Sequence, residues 1–535
     1  LSQSRYIRVL DQSQIYGILK RLDLLGQDSL TPEDLKEIAS RGLATHIVRG
    51  SLSKAGERFR IDLTLQNAST LQIIAPESAD GTGEESLFAM VDSLSDRLKT
   101  NLGVTFQQAA ADVSRSIRDV TTNSPEAYKL YVEGNRLANA GDFKQAISYF
   151  EKAVALDPQF AAAYMGLFDA YSYFGGAEKE YLLNIRKAFD LKERVSERER
   201  LAIEAEYYAA TSEKTWDKAV DAYSKLITLY PWDLSATSSL AFLYWKMDEW
   251  DLAIEKYEGL RRYKEENYGR YLILAWCYVC KGQPDKAREV LEDYLATIAD
   301  NALIRGTLGD IYCIQGDFEK AKKETDKAYV QAPEANIYSK YFYLMCTEDF
   351  AALEQVIKQM EASPLVGSWI GFGSAPLALQ GKLKDARTSC DNWLEEWQGK
   401  IDSRTLGAMS LDFALFLEKT DDFAGALAAC ETALRNAKET GDIWRECVAL
   451  YCRGVMHARQ GNIKDAQESA EELRRVVESG PAKKRIRFYE ALLGVIALQK
   501  HDVQSAQDHL KKALSLTAIQ EQAYSAAIGG LRSSF

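Results

Sequence analysis

The 535-residue chain is poor in the residue types that mark several protein classes. It has only 10 prolines and 33 glycines, which excludes collagen-like and Pro/Gly-rich low-complexity sequences. Its 66 basic against 78 acidic residues give a net charge of −12, so it lacks the basic surface that a general nucleic-acid binder or a protein docked on anionic lipid needs. No apolar run reaches the roughly 18 residues that span a bilayer. We therefore predict no nucleic-acid partner and no membrane segment in these residues.

Motifs of catalysis are missing as well. No phosphate-binding loop, nucleophile elbow or zinc-protease motif occurs, and Gly371-Phe-Gly-Ser has neither the spacing nor the context of a dinucleotide fingerprint. The four histidines are too few and too scattered for a metal site, and for His501 and His509 we favour a solvent-facing role over metal binding. The sequence thus predicts no catalytic residue, no metal and no cofactor in the residues given.

The eight cysteines favour packing over chemistry. Cys277-x-x-Cys280 could indicate a redox or zinc site, but it has no second pair and falls inside a predicted repeat helix. Cys390 and Cys430 occupy a packing position of their repeats, so we interpret these thiols as buried small hydrophobes. Eight cysteines also lean toward a reducing compartment unless they are paired or buried.

One basic cluster, Lys483-Lys-Arg-Ile-Arg487, follows Pro481. It could contact a phosphate or a partner. In a turn between helices of an acidic protein, a solvated surface is the interpretation that we favour.

Residues 1–104 have mixed character. The patterns predict a strand at Arg5–Leu10, a helix over Gln12–Leu24 and a second helix capped by Thr31 with Pro32 in its first turn. A hairpin turns at Lys54-Ala-Gly-Glu, a third strand is expected near Leu71–Ala75, and an amphipathic helix over Glu84–Leu102. These elements indicate a small α/β domain.

From residue 127 a repeat pattern begins. It resembles the tetratricopeptide (TPR) repeat through Leu130, Gly134, Leu137, Gly141, Ala146, Phe150, Ala153 and Pro158. Gly134 and Ala146 would allow the two helices of a unit to cross closely, and Phe150 and Leu137 would fill the space between units. Comparable spacing recurs to about residue 520 and gives about eleven units.

The predicted fold class is mainly α, a TPR α-solenoid in which helix hairpins form a right-handed superhelix, preceded by a small α/β domain. The predicted domains are residues 1–104 (α/β), 105–126 (linker or helix), 127–335 (TPR units 1–6), 336–366 (a degenerate unit), 367–520 (units 8–11) and 521–535 (a C-terminal tail).

Candidate binding residues follow from the repeat register. In a TPR array the first helices line the concave groove, and position 9 of successive units is Asn135, Asp169, Tyr208, Phe242, Trp276 and Asp310, with Trp245 at position 12. Aromatic residues dominate binding hot spots, so these residues are our candidate peptide- or ligand-binding groove. The alternative, that the rings pack against neighbouring helices, stays open. Only Asn135 fits the carboxylate clamp of chaperone-binding TPR proteins, so a C-terminal EEVD-type tail is not expected.

A wider resemblance joins the two parts. Residues 1–9, 44–52 and 58–65 are similar to the N-terminal domain family of TolB and the flagellar protein FlgO, in which an earlier strand and helix precede. With residues 121–134 and 195–208, the order resembles the C-terminal, usually extracytoplasmic, half of bacterial membrane-anchored signalling proteins, most of all Ser/Thr kinases but also cyclases and winged-helix regulators. Because the chain starts at Leu1 without a Met, we expect a fragment or processed product, with an output domain and a membrane span upstream.

The resemblance implies a non-catalytic sensor or interaction module that binds a peptide, protein or envelope ligand. The alternative is a stand-alone TPR scaffold or adaptor that organises a multiprotein assembly. A homodimer is compatible with either hypothesis. The resemblance implies the extracytoplasmic side of a bacterial membrane, and the cytoplasm is the alternative.

Overall fold

The computed structural model describes residues 1–10, 12–27, 29–105, 107–108, 112, 116–174, 178–264, 266–362, 371–397, 401, 403–419 and 422–516. These residues form a mainly α-helical, TPR-like solenoid with a small antiparallel sheet near the N-terminus, which confirms the predicted fold class. Two compact units are present. The first comprises Leu1–Thr211, Thr215–Leu240 and Leu260–Glu265, and the second comprises Ser212–Lys214, Ala241–Gly259 and the chain from Glu266 onward. Among the described helices, none has the length and apolarity to cross a membrane.

The N-terminal part of the first unit contains a three-stranded sheet in the order β1-β2-β3. The strands are β1 His46–Ala55, β2 Arg58–Asn67 and β3 Ile73–Thr82, with an irregularity between Leu65 and Gln66 of β2. The helix Ser86–Asn101 buries Phe88, Met90, Leu94 and Leu98, and it packs against β3 and β2. Two further helices, Gln12–Arg21 and Pro32–Arg41, precede the sheet.

The start of the second helix forms as predicted. Thr31 Oγ1 accepts a hydrogen bond from the Asp34 N–H at 3.1 Å, and the Asp34 carboxylate accepts one from the Thr31 N–H at 2.8 Å. Pro32 follows in the first turn, where its missing N–H costs nothing. This reciprocal capping box satisfies two backbone donors that the helix itself leaves unpaired.

The strand predicted at Arg5–Leu10 is wrong, because this segment consists of a bend and irregular backbone outside the sheet. Its side chains are held by helices of the same compact unit. Arg5 pairs with Glu197, and the Arg8 guanidinium lies 5.3 Å from the ring centroid of Tyr263. Strand propensity in this segment therefore gave way to tertiary contacts made by its arginines.

Helix pairs make up the rest of the described chain. After the short helix Ile117–Val120, they are Pro125–Asn139 with Phe143–Leu156, Ala161–Phe174 with Glu178–Asp190, Glu197–Thr211 with Trp216–Leu229, Leu234–Lys246 with Trp250–Arg261, Tyr268–Cys280 with Pro284–Thr297, Ala302–Gln315 with Phe318–Gln331, Ile337–Cys346 with Phe350–Ala362, Gly371–Leu379 with Leu383–Trp397, Ser403–Lys419 with Phe423–Thr440, Ile443–Arg459 with Ile463–Ser479, and Ile486–Gln499 with Val503–Leu516. Short 3₁₀ helices occur at Lys192–Arg194, Glu213–Thr215 and Lys483–Arg485. The tail at 521–535 lies outside the described residues.

The first complete repeat shows why its pattern needs glycine. The Phe150 ring is buried between two helices that each present a glycine, Gly134 in its own pair and Gly166 in the next. A Cβ atom added at Gly134 would lie 2.6 Å from the ring, and one added at Gly166 would lie 2.7 Å from it. Leu137 and Leu167 complete the same apolar cluster. Phe150 therefore fills the space between successive units, as the sequence predicts.

Substituting Gly134→Ala should lower the free energy of unfolding by about 1–2 kcal/mol, because the overpacking cost exceeds the gain in helix propensity. Gly259→Ala is the matched control. That glycine also lies inside a helix, but nothing lies within 4 Å of its added Cβ, so the same substitution should stabilise by about 0.5–1 kcal/mol. Urea unfolding measures both. Equal effects of the two alanines would contradict the close approach at Phe150.

The basic cluster at Lys483–Arg487 does not form a solvated turn, so that prediction is wrong. Arg485 is 3% exposed and Arg487 is 1% exposed. Arg487 Nη1 lies 2.7 Å from Asp248 Oδ2, and Arg485 pairs with Glu213. Both acidic partners belong to the same compact unit but lie more than 230 residues earlier in the sequence, so no local pattern could have indicated them.

Lys484 adds a third contact between the same segments. Its Nζ lies 2.9 Å from Glu249 Oε2 and donates to the backbone carbonyl of Asp248 at 3.1 Å. It also lies 5.4 Å from the ring centroid of Trp250. We call these contacts of Lys484, Arg485 and Arg487 the basic clasp. It joins the start of the last described helix pair to the turn around Asp248 within the second unit.

Candidate binding surface on the first helices

All seven predicted binding residues lie on first helices of helix pairs. The first compact unit holds three of them and the second holds four. The residues are Asn135, Asp169 and Tyr208 in the first unit, and Phe242, Trp245, Trp276 and Asp310 in the second.

In the first unit, Asp169 belongs to a polar group. Desolvation raises the pKa of Asp169 to about 7, and the carboxylate of Glu206 contributes to the same shift. Glu206 is itself held by a hydrogen bond from Ser239 Oγ at 2.9 Å and one from Tyr223. Solvent reaches Asp169, so screening reduces what this shift contributes to stability. The surface here is acidic.

Asn135 and Tyr208 lie near aromatic residues in the first unit. Burial raises the pKa of Tyr131 to about 12, and the side chain of Asn135 opposes that shift. Tyr208 packs edge-on against Phe189 at 5.7 Å and Tyr207 at 5.6 Å, between ring centroids. Phe189 and Tyr207 are stacked at 4.0 Å. Tyr208 thus packs against neighbouring rings, which is the alternative interpretation given above for the groove residues.

In the second unit, Phe242 and Trp245 form a stacked pair with ring centroids 5.4 Å apart and planes 20° apart. The pair is asymmetric. Phe242 is 41% exposed, whereas Trp245 is half-buried and packs against a cluster that contains Cys277 and Cys280. Trp276 is half-buried on the next first helix. Phe242 is therefore exposed to solvent, and its ring packs against the ring of the half-buried Trp245.

Asp310 is buried on its helix, with 9% of its surface exposed. Ser339 Oγ donates a hydrogen bond to its Oδ2 at 3.1 Å, while Oδ1 is buried without a hydrogen-bond partner among the described residues. Burial raises the pKa of Asp310 to about 7, against the weaker opposing effect of Ser339. Burial of this carboxyl group disfavours its ionised form, because the charge loses its hydration. The group is part of the packed interior and is not accessible to a ligand.

Two groups near these residues escaped the sequence analysis. The charge of Glu206 contributes to the raised pKa of Asp169, and Ser339 donates a hydrogen bond to Asp310. Neither Glu206 nor Ser339 occupies position 9 or 12 of its unit. Their only sequence signal is a polar residue on a first helix, which is too common to be specific.

The cysteines and histidines are partly as expected. Seven of the eight cysteines are buried free thiols, which confirms the packing interpretation for Cys390 and Cys430, and Cys346 is half-buried. His501 is exposed, but His509 is half-buried and its Nδ1 lies 2.8 Å from Glu490 Oε2. The side chain of His509 is 36% exposed, so it is partly solvent-facing as well as close to Glu490.

Residues 127–160 match the family model of the tetratricopeptide repeat. This is the copy whose pattern the sequence shows most completely. No curated protein matches the sequence. The resemblance of residues 1–104 to TolB and FlgO stays a prediction.

Among solved structures, the chain is similar in fold to several TPR proteins. Yeast Tom70 aligns at 15% identity and a TM-score of 0.36, covering 76% of this chain and 95% of Tom70. A human IFIT1 dimer with PPP-AAAA aligns at 14% identity and a TM-score of 0.38, covering 73% and 91%. A tetratricopeptide repeat protein from Parabacteroides merdae aligns at 15% identity and a TM-score of 0.33, covering 46% and 94%.

Proposed function

We propose that this chain is a protein-interaction module and that the exposed Phe242, stacked on Trp245, is a main anchor for an extended peptide segment of a partner protein. The observation that supports the proposal is the asymmetry of this ring pair. Phe242 is 41% exposed on a first helix, and its ring is stacked on Trp245, which packs against the cluster that contains Cys277 and Cys280. An aromatic ring held rigid by a second ring loses little freedom on binding, which is a property of hot-spot residues.

Trp245 and Trp276 have supporting roles in this proposal. Trp245 packs on the cluster with Cys277 and Cys280, so its removal would disturb the fold as well as the surface. Phe242 is the better test position for this reason. Its ring contributes to the surface, with Lys246 also 5.9 Å from its centroid.

Site-specific photo-crosslinking tests the proposal. A photoreactive phenylalanine analogue placed at Phe242 should crosslink one protein partner in cells that make the native protein. Phe318 is the matched control, because it is the same residue type and 42% exposed, but it begins a second helix. The same analogue at Phe318 should not capture that partner. Equal capture at both positions would reject Phe242 as an anchor.

With the partner identified, Phe242→Ala should weaken its binding about 30-fold, which corresponds to a hot-spot loss of about 2 kcal/mol. Phe318→Ala should change the affinity less than about twofold. Titration calorimetry with the purified partner measures both. Unchanged affinity in a folded Phe242→Ala variant would contradict the proposal.

The alternative functions differ in what lies around this chain. As the regulatory half of a membrane-anchored kinase or cyclase on the extracytoplasmic side, it would be part of a much larger native polypeptide. As a stand-alone scaffold in the cytoplasm, it would have about its present size. The intact mass and N-terminal sequence of the native protein distinguish these two hypotheses.

A further inference from the structure

The first strand of the sheet, β1, lies at an edge and is open along its whole length. In the order β1-β2-β3, it pairs from His46 to Ala55 with β2 and with no other described strand. Nine of its ten residues are exposed, and Ile47 is half-buried. In an antiparallel ladder every second residue turns its N–H and C=O away from the neighbouring strand. These outward groups of β1 are free to pair with a further strand.

One face of β1 is apolar and uncovered. Val48 lies opposite Leu65 of β2, and Leu52 lies on the same face, four residues farther along β1. The helix Ser86–Asn101 covers this face over β2 and β3. Leu65 is consequently buried, whereas Val48 is 42% exposed and Leu52 is 59% exposed. The apolar face of the sheet therefore continues onto β1, beyond the helix that covers the other two strands.

The opposite edge of the sheet, β3, is protected against strand pairing. Pro76 has no N–H to donate, Glu77 and Asp80 add charge, and a register shift interrupts the pairing of β3 with β2. β1 contains no proline and pairs with β2 without a shift. Its Lys54 is turned toward Glu84 of the same chain, with Nζ 3.7 Å from Oε1. Of the two edges, β1 is the one that can accept another strand.

The sequence of β1 is complementary to itself when two copies run antiparallel. Val48 and Leu52 are equally far from Gly50, so a two-fold axis at Gly50 places Val48 of each copy opposite Leu52 of the other. The four side chains then form one apolar row on the uncovered face. Shifting the register by two residues would oppose Arg49 to Arg49 in one direction and Val48 to Lys54 in the other. The register centred on Gly50 avoids both mismatches.

Gly50 suits the centre of this pairing. A Cβ atom added to it would lie 2.4 Å from Leu63 Cδ2, so the Leu63 side chain lies over the backbone of Gly50. Leu63 is only half-buried, although it belongs to the central strand β2. With a second β1 alongside, the Leu63 side chains of both copies would border the space above the two glycines. The pairing would therefore cover apolar surface on β2 as well as on β1.

We propose that β1 is a self-association surface whose occupant is β1 of a second copy of this chain, so that two three-stranded sheets join into one antiparallel sheet of six strands. A second copy fits because one strand supplies both halves of the apolar row, and no lysine or arginine faces another. One strand per copy is less than a standard interface buries, so we expect a reversible dimer with a dissociation constant of about 1–100 µM. The inference is independent of the proposed function, because it does not involve Phe242.

Sedimentation equilibrium of the full chain tests the inference. Between about 1 and about 100 µM, the mass should rise from that of one copy toward that of two. Leu52→Lys places a charge opposite Val48 of the other copy and should weaken self-association at least about tenfold. Leu514→Lys is the matched control, because Leu514 is 51% exposed on the last described helix, and it should associate like wild type. Both exposed positions should tolerate lysine, with circular dichroism equal to that of wild type.

Cysteine crosslinking measures the register directly. Arg49 would lie opposite Ser51 of the other copy, with about 5 Å between the Cα atoms. A mixture of Arg49→Cys chains and Ser51→Cys chains should therefore form a disulfide between these positions under mild oxidation, as identified by peptide mapping. Either variant alone should not form it, because identical positions on this face lie more than about 7 Å apart across the pairing.

Three results would overturn the inference. They are a chain that stays monomeric up to about 100 µM, a Leu52→Lys variant that dimerises as tightly as wild type, and a disulfide that forms as readily in either single variant as in the mixture. A monomeric chain would reject the second copy as the occupant and would leave the β1 edge to a strand of a different protein.

Discussion

Replacing Asp248 by Asn should destabilise the second unit by about 3 kcal/mol, because it removes the carboxylate that faces the buried guanidinium of Arg487. Arg487 is 1% exposed and its Nη1 lies 2.7 Å from Asp248 Oδ2. An arginine side chain cannot shed its proton, so the charge stays in the interior. Removing one member of a buried pair costs about 3–5 kcal/mol, and the partial exposure of Asp248 places the expectation at the lower end.

Asparagine at position 248 removes the charge without changing the preferred backbone conformation. Asp248 has a φ of +63°, in the left-handed region that aspartate and asparagine enter more readily than most residues. The substitution therefore keeps the turn and the side-chain shape while it removes the carboxylate. Alanine at the same position would confound the loss of charge with backbone strain.

Hydrogen exchange is the sharpest measurement for this variant. Repeat arrays often unfold in parts, so a single unfolding midpoint would average over units that the clasp does not touch. Amides of Ile486–Gln499 and Trp250–Arg261 should lose protection in Asp248→Asn, while those of Pro125–Asn139 should not. Glu354→Gln is the control, since the Glu354–Lys358 pair is exposed on both sides and its loss should leave this protection unchanged. Protection of the clasp helices equal to wild type would contradict the expected role of Asp248.

The basic clasp also shows which contacts cannot be predicted from the sequence. Helix pairs, the close approach at Gly134 and the cap at Thr31 follow from short-range patterns, because each involves residues within a few turns of one another. Arg485 and Arg487 have no such signal. Their partners lie more than 230 residues earlier, and a basic run in an acidic chain gives no indication of them.

The candidate binding residues show a related limit. Repeat register correctly places all seven residues on first helices, but it does not say which side chains solvent reaches. Phe242 is exposed, whereas Tyr208 packs against Phe189 and Tyr207, and Asp310 is buried beside Ser339. These differences depend on the size of neighbouring side chains on adjacent helices, which periodicity does not encode.

Replacing Asp310 by Asn should stabilise the protein at about pH 8 by roughly 2–4 kcal/mol and change it little at about pH 4. The pKa of Asp310 is raised from 3.8 to about 7 by burial. Between these values the unfolded chain releases the proton while the folded chain keeps it, so stability falls as the pH rises from about 4 to about 7 and is then constant. A neutral asparagine has no proton to release, and the decline should disappear in the variant.

The hydrogen bond from Ser339 makes the explanation testable in a second way. Ser339 Oγ donates to Asp310 Oδ2 and favours the charged form, whereas an asparagine side chain at this position can still accept through its amide oxygen. Ser339→Ala should therefore raise the pKa of Asp310 further, so the decline of stability should extend to higher pH and become larger in total, the opposite of Asp310→Asn. Urea unfolding between about pH 4 and about pH 8 measures all three proteins. Parallel profiles for wild type and Asp310→Asn would mean that this carboxyl is ionised in the fold at no cost, which its burial argues against.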